Sequence, residues 1–252
     1  MPEEREMPFL EHLEELRGRL IVFLAALGAT SIAGFFLSPR VLDWLVIPLK
    51  AFRPDTKLYF FGVAGGFLVR FKVGLALGVL LALPILFYEF WAFVSPALNR
   101  REKGNILPAA FASTILFALG ILFCYYGILP LGIKMLLLFG TGQVEPLLEA
   151  NSYLGFVFWF MLACGLIFEV PVVIVFLVRL GIVTPQFLRK QRRFAIVIAI
   201  IIAALTPTQD ILSLFIQAGI LIILYEVGIW VSYLAVKKKE KAATQLREVR
   251  AG

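Results

Sequence analysis

Between Leu20 and Leu37 the chain runs for 18 residues without a charged side chain. Runs of this kind recur over Val73–Tyr88, Asn105–Ile133, Tyr153–Val178, Phe194–Leu205 and Ile211–Val236, interrupted only by Glu169 and Glu226. An 18-residue helix rises roughly 27 Å, close to the hydrocarbon thickness of a bilayer, about 30 Å. Lipid offers no water to unpaired backbone groups, so a chain of such runs can cross only as helices or as a closed barrel. None alternates with the period of two that a barrel strand needs, which leaves a helical bundle. Composition agrees: 61% of the 252 residues are hydrophobic and 16% charged, with mean hydropathy +0.92. That is more apolar surface than a soluble domain of this size buries.

Taken in order, residues 1–19 read as an amphipathic lead-in with Phe9, Leu10, Leu13, Leu16 and Leu20 at helical spacing. Its six glutamates are the opposite of a basic signal-peptide start, so the first run is expected to remain as a mature span. Ser38–Ala64 reads as a connector whose VLDWLVIPL piece rests at the interface with Trp44 at headgroup depth. The spans are expected at about 20–37, 66–94, 106–130, 153–178, 194–206 and 211–236, forming one domain over 1–236. Pro84 predicts a kink in the second, Pro130 the exit of the third, and IKMLLLFG beyond it a second interfacial piece. Residues 237–252 form a basic, frayed tail.

Six crossings return both termini to one side. That side carries 17 basic residues and the other 7, so both termini, the segment 95–105 and the loop 179–193 are expected to be cytoplasmic. The net charge of +7 thereby reads as orientation rather than nucleic-acid binding. No P-loop, HExxH, GxSxG or CxxC occurs, and the only histidine is His12, so no catalytic residue, cofactor or metal is expected. Cys124 and Cys164 read as small buried hydrophobes.

Six carboxylates carry more information. Glu169 lies ten residues before Arg179, near mid-membrane, where an ionisable group faces a bundle interior, a wet cavity or a partner. Glu226 is placed similarly, or at a tilted helix's wet end. Asp210 follows a short fifth span and reads either as a helix N-cap or as an acid drawn toward the hydrocarbon boundary. Near the cytoplasmic ends, Glu14, Glu15 and Glu102 stand among Arg17, Arg19, Arg100 and Arg101. Solvated ion pairs and a surface that grips paired arginines through bidentate bonds are both open on composition.

The blocks HLEELRGRL (12–20), ALPILFYEFWAFVSPALNRREK (82–103), GLIFEVPVVI (165–174), GIVTPQFLRKQRRFAIV (181–197) and LTPTQD (205–210) together resemble the TatC family. That family is the multispanning core of the twin-arginine protein translocase. The resemblance runs from Met7 to about Val236. It implies an all-α integral membrane protein with six transmembrane helices in a concave bundle in the cytoplasmic (inner) membrane. It also implies a receptor for twin-arginine signal peptides on folded precursor proteins, driven by the proton motive force, and not an enzyme. By motif position Glu15, Arg17, Phe93 and Glu102 match the family's signal-recognition residues. Pro48 matches its outer-loop proline, Glu169 its intramembrane acid and Asp210 the acid of the last outer loop. Implied partners are TatA and TatB single-span proteins, in an oligomeric complex with membrane lipid. The chain departs from some relatives at Leu214, where they carry glutamine. A proton-coupled small-solute transporter using Glu169 is the other reading, disfavoured by the lack of internal repeats.

Overall fold

A computed structural model describes residues 9–94, 106–138, 147–206 and 211–251. Apart from one isolated bridge, Tyr59 with Glu149, the described residues are helices and the turns between them. The helices are α1 (Phe9–Lys50), α2 (Gly65–Val94), α3 (Ile106–Phe123), a π-turn (Cys124–Ile128), α4 (Leu129–Leu138), α5 (Ala150–Phe168), α6 (Val170–Arg179), α7 (Pro185–Lys190), α8 (Arg192–Leu205) and α9 (Ile211–Ala251). Five stretches among the described residues are long and apolar enough to cross a membrane. They are 11–50, 65–94, 106–135, 150–179 and 211–234. The helix over the expected fifth span, α8, has 14 residues, a rise of roughly 21 Å, short of the hydrocarbon thickness.

Two expected breaks are absent. VLDWLVIPL is not a separate helix but the end of α1, which passes through Pro39 without interruption. Pro39 has no N–H for the carbonyl of Phe35, four residues back. Ser38 Oγ donates to that carbonyl at 2.7 Å instead, so the helix survives the proline. Likewise Pro130 does not end the third span. Leu129 N–H bonds Cys124 O, five residues back, and this π-turn shifts the pairing just before the residue that has no N–H to give. IKMLLLFG therefore begins as part of α4, with Phe139 and Gly140 outside the described residues. The tail, expected to fray, is helical to Ala251, because 229–251 contains no Gly or Pro and is rich in Lys, Glu, Ala and Gln.

Contacts divide the chain into two compact units. The first comprises Met1–Val46 and Phe60–Thr114. Within it α1 and α2 approach through glycine. A Cβ on Gly34 would strike Gly74 O, one on Gly78 would strike Ser31 Oγ, and one on Gly74 would lie 2.8 Å from Phe35 Cα. Thr30 Oγ1 donates to Gly78 O at 2.8 Å across the same seam. Gly74 and Gly78 form the small-x-x-x-small spacing that lets membrane helices pack backbone to backbone. Trp91, buried in the last turns of α2, donates from its indole N–H to Ser113 Oγ at 3.0 Å.

The second unit comprises Ile47–Tyr59 and Ile115–Gly252. Here α9 packs on α6 and α8, and buried Ile167, Ala199 and Leu221 form a core flanked by Phe168 and Val170. The turn from α6 to α7 is locally encoded. Gly181 takes φ 75°, and Gly181 N–H and Ile182 N–H bond Val178 O at 3.1 Å and Leu177 O at 3.2 Å. That closes α6 with a left-handed glycine. Thr184 then caps α7 by accepting from Phe187 N–H at 3.2 Å, with Pro185 in the first turn. Tyr59 N–H donates to Leu148 O at 3.0 Å and Ala150 N–H to Tyr59 O at 2.9 Å, tying the segment after α1 to the segment before α5.

Candidate functional site

In the first unit, residues 12, 15 and 19 of α1 are spaced three and four apart and share one face, and 89 and 93 share a face of α2. The two faces meet. Arg19 sends Nε and Nη2 to Glu15 Oε1, at 3.0 and 2.7 Å, and Nη1 to Glu89 Oε2 at 2.8 Å. One guanidinium thus bridges two carboxylates from different helices. His12 stacks on Phe93 with ring centroids 4.3 Å apart and planes 11° off parallel. Its Nδ1 lies 3.7 Å from Glu15 Oε2.

Glu15 Oε2 itself is shielded from solvent and accepts no hydrogen bond. Two carboxylates against one guanidinium leave the cluster one negative charge in excess, and Glu15 Oε2 faces the His12 ring that stacks on Phe93. Such a geometry suits an incoming guanidinium, which forks onto carboxylate oxygens and stacks on aromatic faces. The side chains are part-exposed, 25% for Glu15 and 26% for Arg19.

The family resemblance assigned Glu15 and Phe93 to one site, and in the structure His12 lies between them, stacked on Phe93 and 3.7 Å from Glu15. Arg17 does not join them. Two residues from Glu15 is roughly 200° around a helix, and Arg17 is exposed. Glu102, with the rest of 95–105, lies outside the described residues, as does Asp210. Two members of the cluster were missed, His12 and Glu89, and Arg19 was read only as one of several possible ion-pair partners. The four-residue step from Glu15 to Arg19 was legible as an intrahelical pair. Glu89, the first charge after an apolar run, carried no signal of its partner.

In the second unit Glu169 falls at the break between α5 and α6, ahead of Pro171, and is 8% exposed. Val173 N–H donates to its carbonyl at 3.0 Å, restarting the helix. A cavity of about 430 Å³ flanks the break, lined by Trp159, Leu166, Ile167, Val170, Leu205 and Leu221. Glu226 pairs with Arg192 at 2.7 Å and is one-third exposed, so it lies at an accessible end rather than in the core. Pro48 is buried near the end of α1. A buried contact that the sequence did not reveal joins α8 to α9: Thr206 Oγ1 donates to Gln217 Oε1 at 2.5 Å, and Gln217 Nε2 lies 3.9 Å from Cys164 Sγ. Cys124 and Cys164 are both buried and unbridged, as expected of small hydrophobes. Among the described residues no group of His, Cys, Asp and Glu could hold a metal.

A family model described as Sec-independent protein translocase protein (TatC) matches residues 11–219. Among curated relatives, the TatC protein of Desulforapulum autotrophicum is 38% identical over 247 residues, covering 98% of this chain and 92% of the relative. That of Aquifex aeolicus is 36% identical over 237 residues, covering 93% and 98%. A crystal structure of the twin arginine translocase receptor TatC aligns with TM-score 0.74 at 35% identity, over 89% of this chain and 99% of that one.

Proposed function

The chain belongs to the TatC family of Sec-independent protein translocase proteins, and from that premise we infer that the Glu15–Arg19–Glu89 cluster is where it takes hold of a twin-arginine signal peptide. The family makes it a core component of the twin-arginine translocase, a transport protein and not an enzyme. The observation that carries the site assignment is Glu15 Oε2, shielded and without a hydrogen bond, next to the His12–Phe93 stack.

One peptide arginine donates to Glu15 Oε2 and lies along Phe93, while Glu102 takes the second. Arg19 and Glu89 are positioning residues: Arg19 binds Glu15 Oε1 from two nitrogens and leaves the other oxygen on the His12 side. Arg17, on another face, steers by charge rather than by contact. Both termini lie in the cytoplasm and the protein spans the cytoplasmic membrane six times over 1–236, with 237–252 as a basic cytoplasmic tail. The basic-residue asymmetry supports this, and so does the Tyr59–Glu149 bridge, which joins two connectors assigned to the same, opposite face.

TatA-type and TatB-type single-span proteins complete an oligomeric assembly that passes folded precursors under the proton motive force. Glu169, beside the cavity at the α5–α6 break, is the intramembrane contact for such a helix. Asp210 and Pro48 act on the outer side.

Crosslinking of a twin-arginine peptide tests the site. Removing one charge partner from a partly desolvated pair costs roughly 2 kcal/mol, about 30-fold in affinity. Glu15→Gln is expected to weaken capture by that factor, and a twin-lysine peptide to bind wild type less well for want of the planar fork. Undiminished capture by Glu15→Gln overturns the assignment.

A further inference from the structure

Where α7, the start of α8 and the end of α9 meet, the second unit holds a cleft of about 700 Å³. Three cations line it, Arg189 from α7, Arg192 from α8 and Lys237 from α9. Glu226 takes part of Arg192's charge at 2.7 Å. Among the described residues no acid pairs with Arg189 or Lys237. The lining is also apolar in part, with Trp230, 72% exposed, and Leu234, 66% exposed, at helical spacing from Lys237 on one face of α9. Tyr233 lies between, with a phenol that can hydrogen-bond.

The walls are fixed in place. Tyr225 Oη donates to Leu188 O at 2.8 Å, holding α7 to α9, and the Arg192–Glu226 pair holds α8 to α9. Thr184 caps α7, and Gly181 sets the turn that leads into it. The cleft also lies at a particular depth. The uncharged run of α8 begins after Arg193 and that of α9 ends at Val236, ten residues past Glu226, the partner of Arg192, so the cleft spans the membrane boundary. Trp and Tyr concentrate at that depth.

We propose that this cleft is a binding site for an anionic phospholipid, its phosphate held by Arg189 and Lys237 and one acyl chain lying along Trp230 and Leu234. Basic pockets between membrane helices bind anionic headgroups. An apolar continuation distinguishes a lipid from a free phosphate, which has no use for exposed Trp230 and Leu234. The cleft repels the doubly basic signal peptide, so the site is separate from the one around Glu15.

The test is native mass spectrometry of the purified full-length protein in detergent, with phosphatidylglycerol or phosphatidylcholine of identical acyl chains added. Wild type is expected to retain phosphatidylglycerol preferentially. The double variant Arg189→Gln with Lys237→Gln is expected to lose roughly 30-fold of that retention, two cations' worth near a membrane surface. Arg189→Lys with Lys237→Arg keeps the charge and retains it, which separates lost binding from lost folding. Arg193→Gln, a cation on the same segment that does not line the cleft, is expected to change nothing. Three results overturn the proposal: equal retention of the two lipids, undiminished retention by the double Gln variant, or an equal loss with Arg193→Gln. Displacement of phosphatidylglycerol by inorganic phosphate or by an acidic peptide overturns it too, assigning the cleft to a bare anion or to a protein segment.

Discussion

Gly78→Ala tests the seam between α1 and α2. The added Cβ would lie 2.6 Å from Ser31 Cα and 2.7 Å from Ser31 N, both backbone atoms that no rotamer change can move. Non-bonded carbons settle about 3.5–4.0 Å apart, so the helices must separate by roughly 1 Å. Overpacking of this kind costs about 1–3 kcal/mol. The separation also stretches the Thr30 Oγ1 bond to Gly78 O, now 2.8 Å, worth roughly 0.6 kcal/mol inside a membrane. Against these, alanine gains about 0.5–1 kcal/mol over glycine in a helix interior. The net is a loss of about 1–2.5 kcal/mol. Gly28, on the same helix α1, supplies the control, because a Cβ there meets nothing within 4 Å. Gly28→Ala is expected to stabilise by about 0.5–1 kcal/mol. Unfolding by sodium dodecyl sulfate in mixed micelles, followed by tryptophan fluorescence, reads both variants. The two changes should have opposite signs. A Gly78→Ala protein as stable as Gly28→Ala would refute the backbone-to-backbone packing.

Two further predictions concern the second unit. Thr206→Val leaves buried Gln217 Oε1 without its hydroxyl donor and is expected to cost about 1–3 kcal/mol, whereas adding Gln217→Leu recovers most of the loss; strict additivity in the same detergent titration would show that the pair is not coupled. Gly181→Ala places a side chain at φ 75° and is expected to cost about 1–2 kcal/mol, with Gly181→Asn milder because asparagine tolerates that region. Equal stability of Gly181→Ala and wild type would mean that the turn after α6 relaxes.

The breaks that sequence rules misplace share one cause. Proline removes a single backbone donor, and the sequence alone does not say whether another donor stands ready. At Pro39 the adjacent Ser38 hydroxyl supplies it, and before Pro130 a π-turn shifts the pattern, so α1 and the third span run past both. At Pro171 the helix does break, at Glu169, and the buried acid lies at the junction. Read locally, all three prolines interrupt equally. The Gly74 and Gly78 spacing went unread in the sequence, and even read it would not have named Gly34, because spacing specifies a helix face and leaves the opposing residue open.

What the sequence determined by itself follows from the solvent. Long uncharged runs in a medium without water must be helices or a closed barrel, and the lack of two-residue alternation removes the barrel, so the helical class followed from the sequence. Short-range chemistry is fixed locally as well: the left-handed Gly181, the Thr184 cap and the four-residue step from Glu15 to Arg19 each involve groups close in the chain, though of these only the last was read from the sequence. The tertiary structure alone decided which faces meet. Arg19 and Glu89 are separated by 70 residues, Thr206 and Gln217 come from different helices, and Arg189 and Lys237 share a cleft only because α7 is held to α9. Helical periodicity puts a charge on a face, and the packing of whole helices, driven by shape and small residues, chooses its partner.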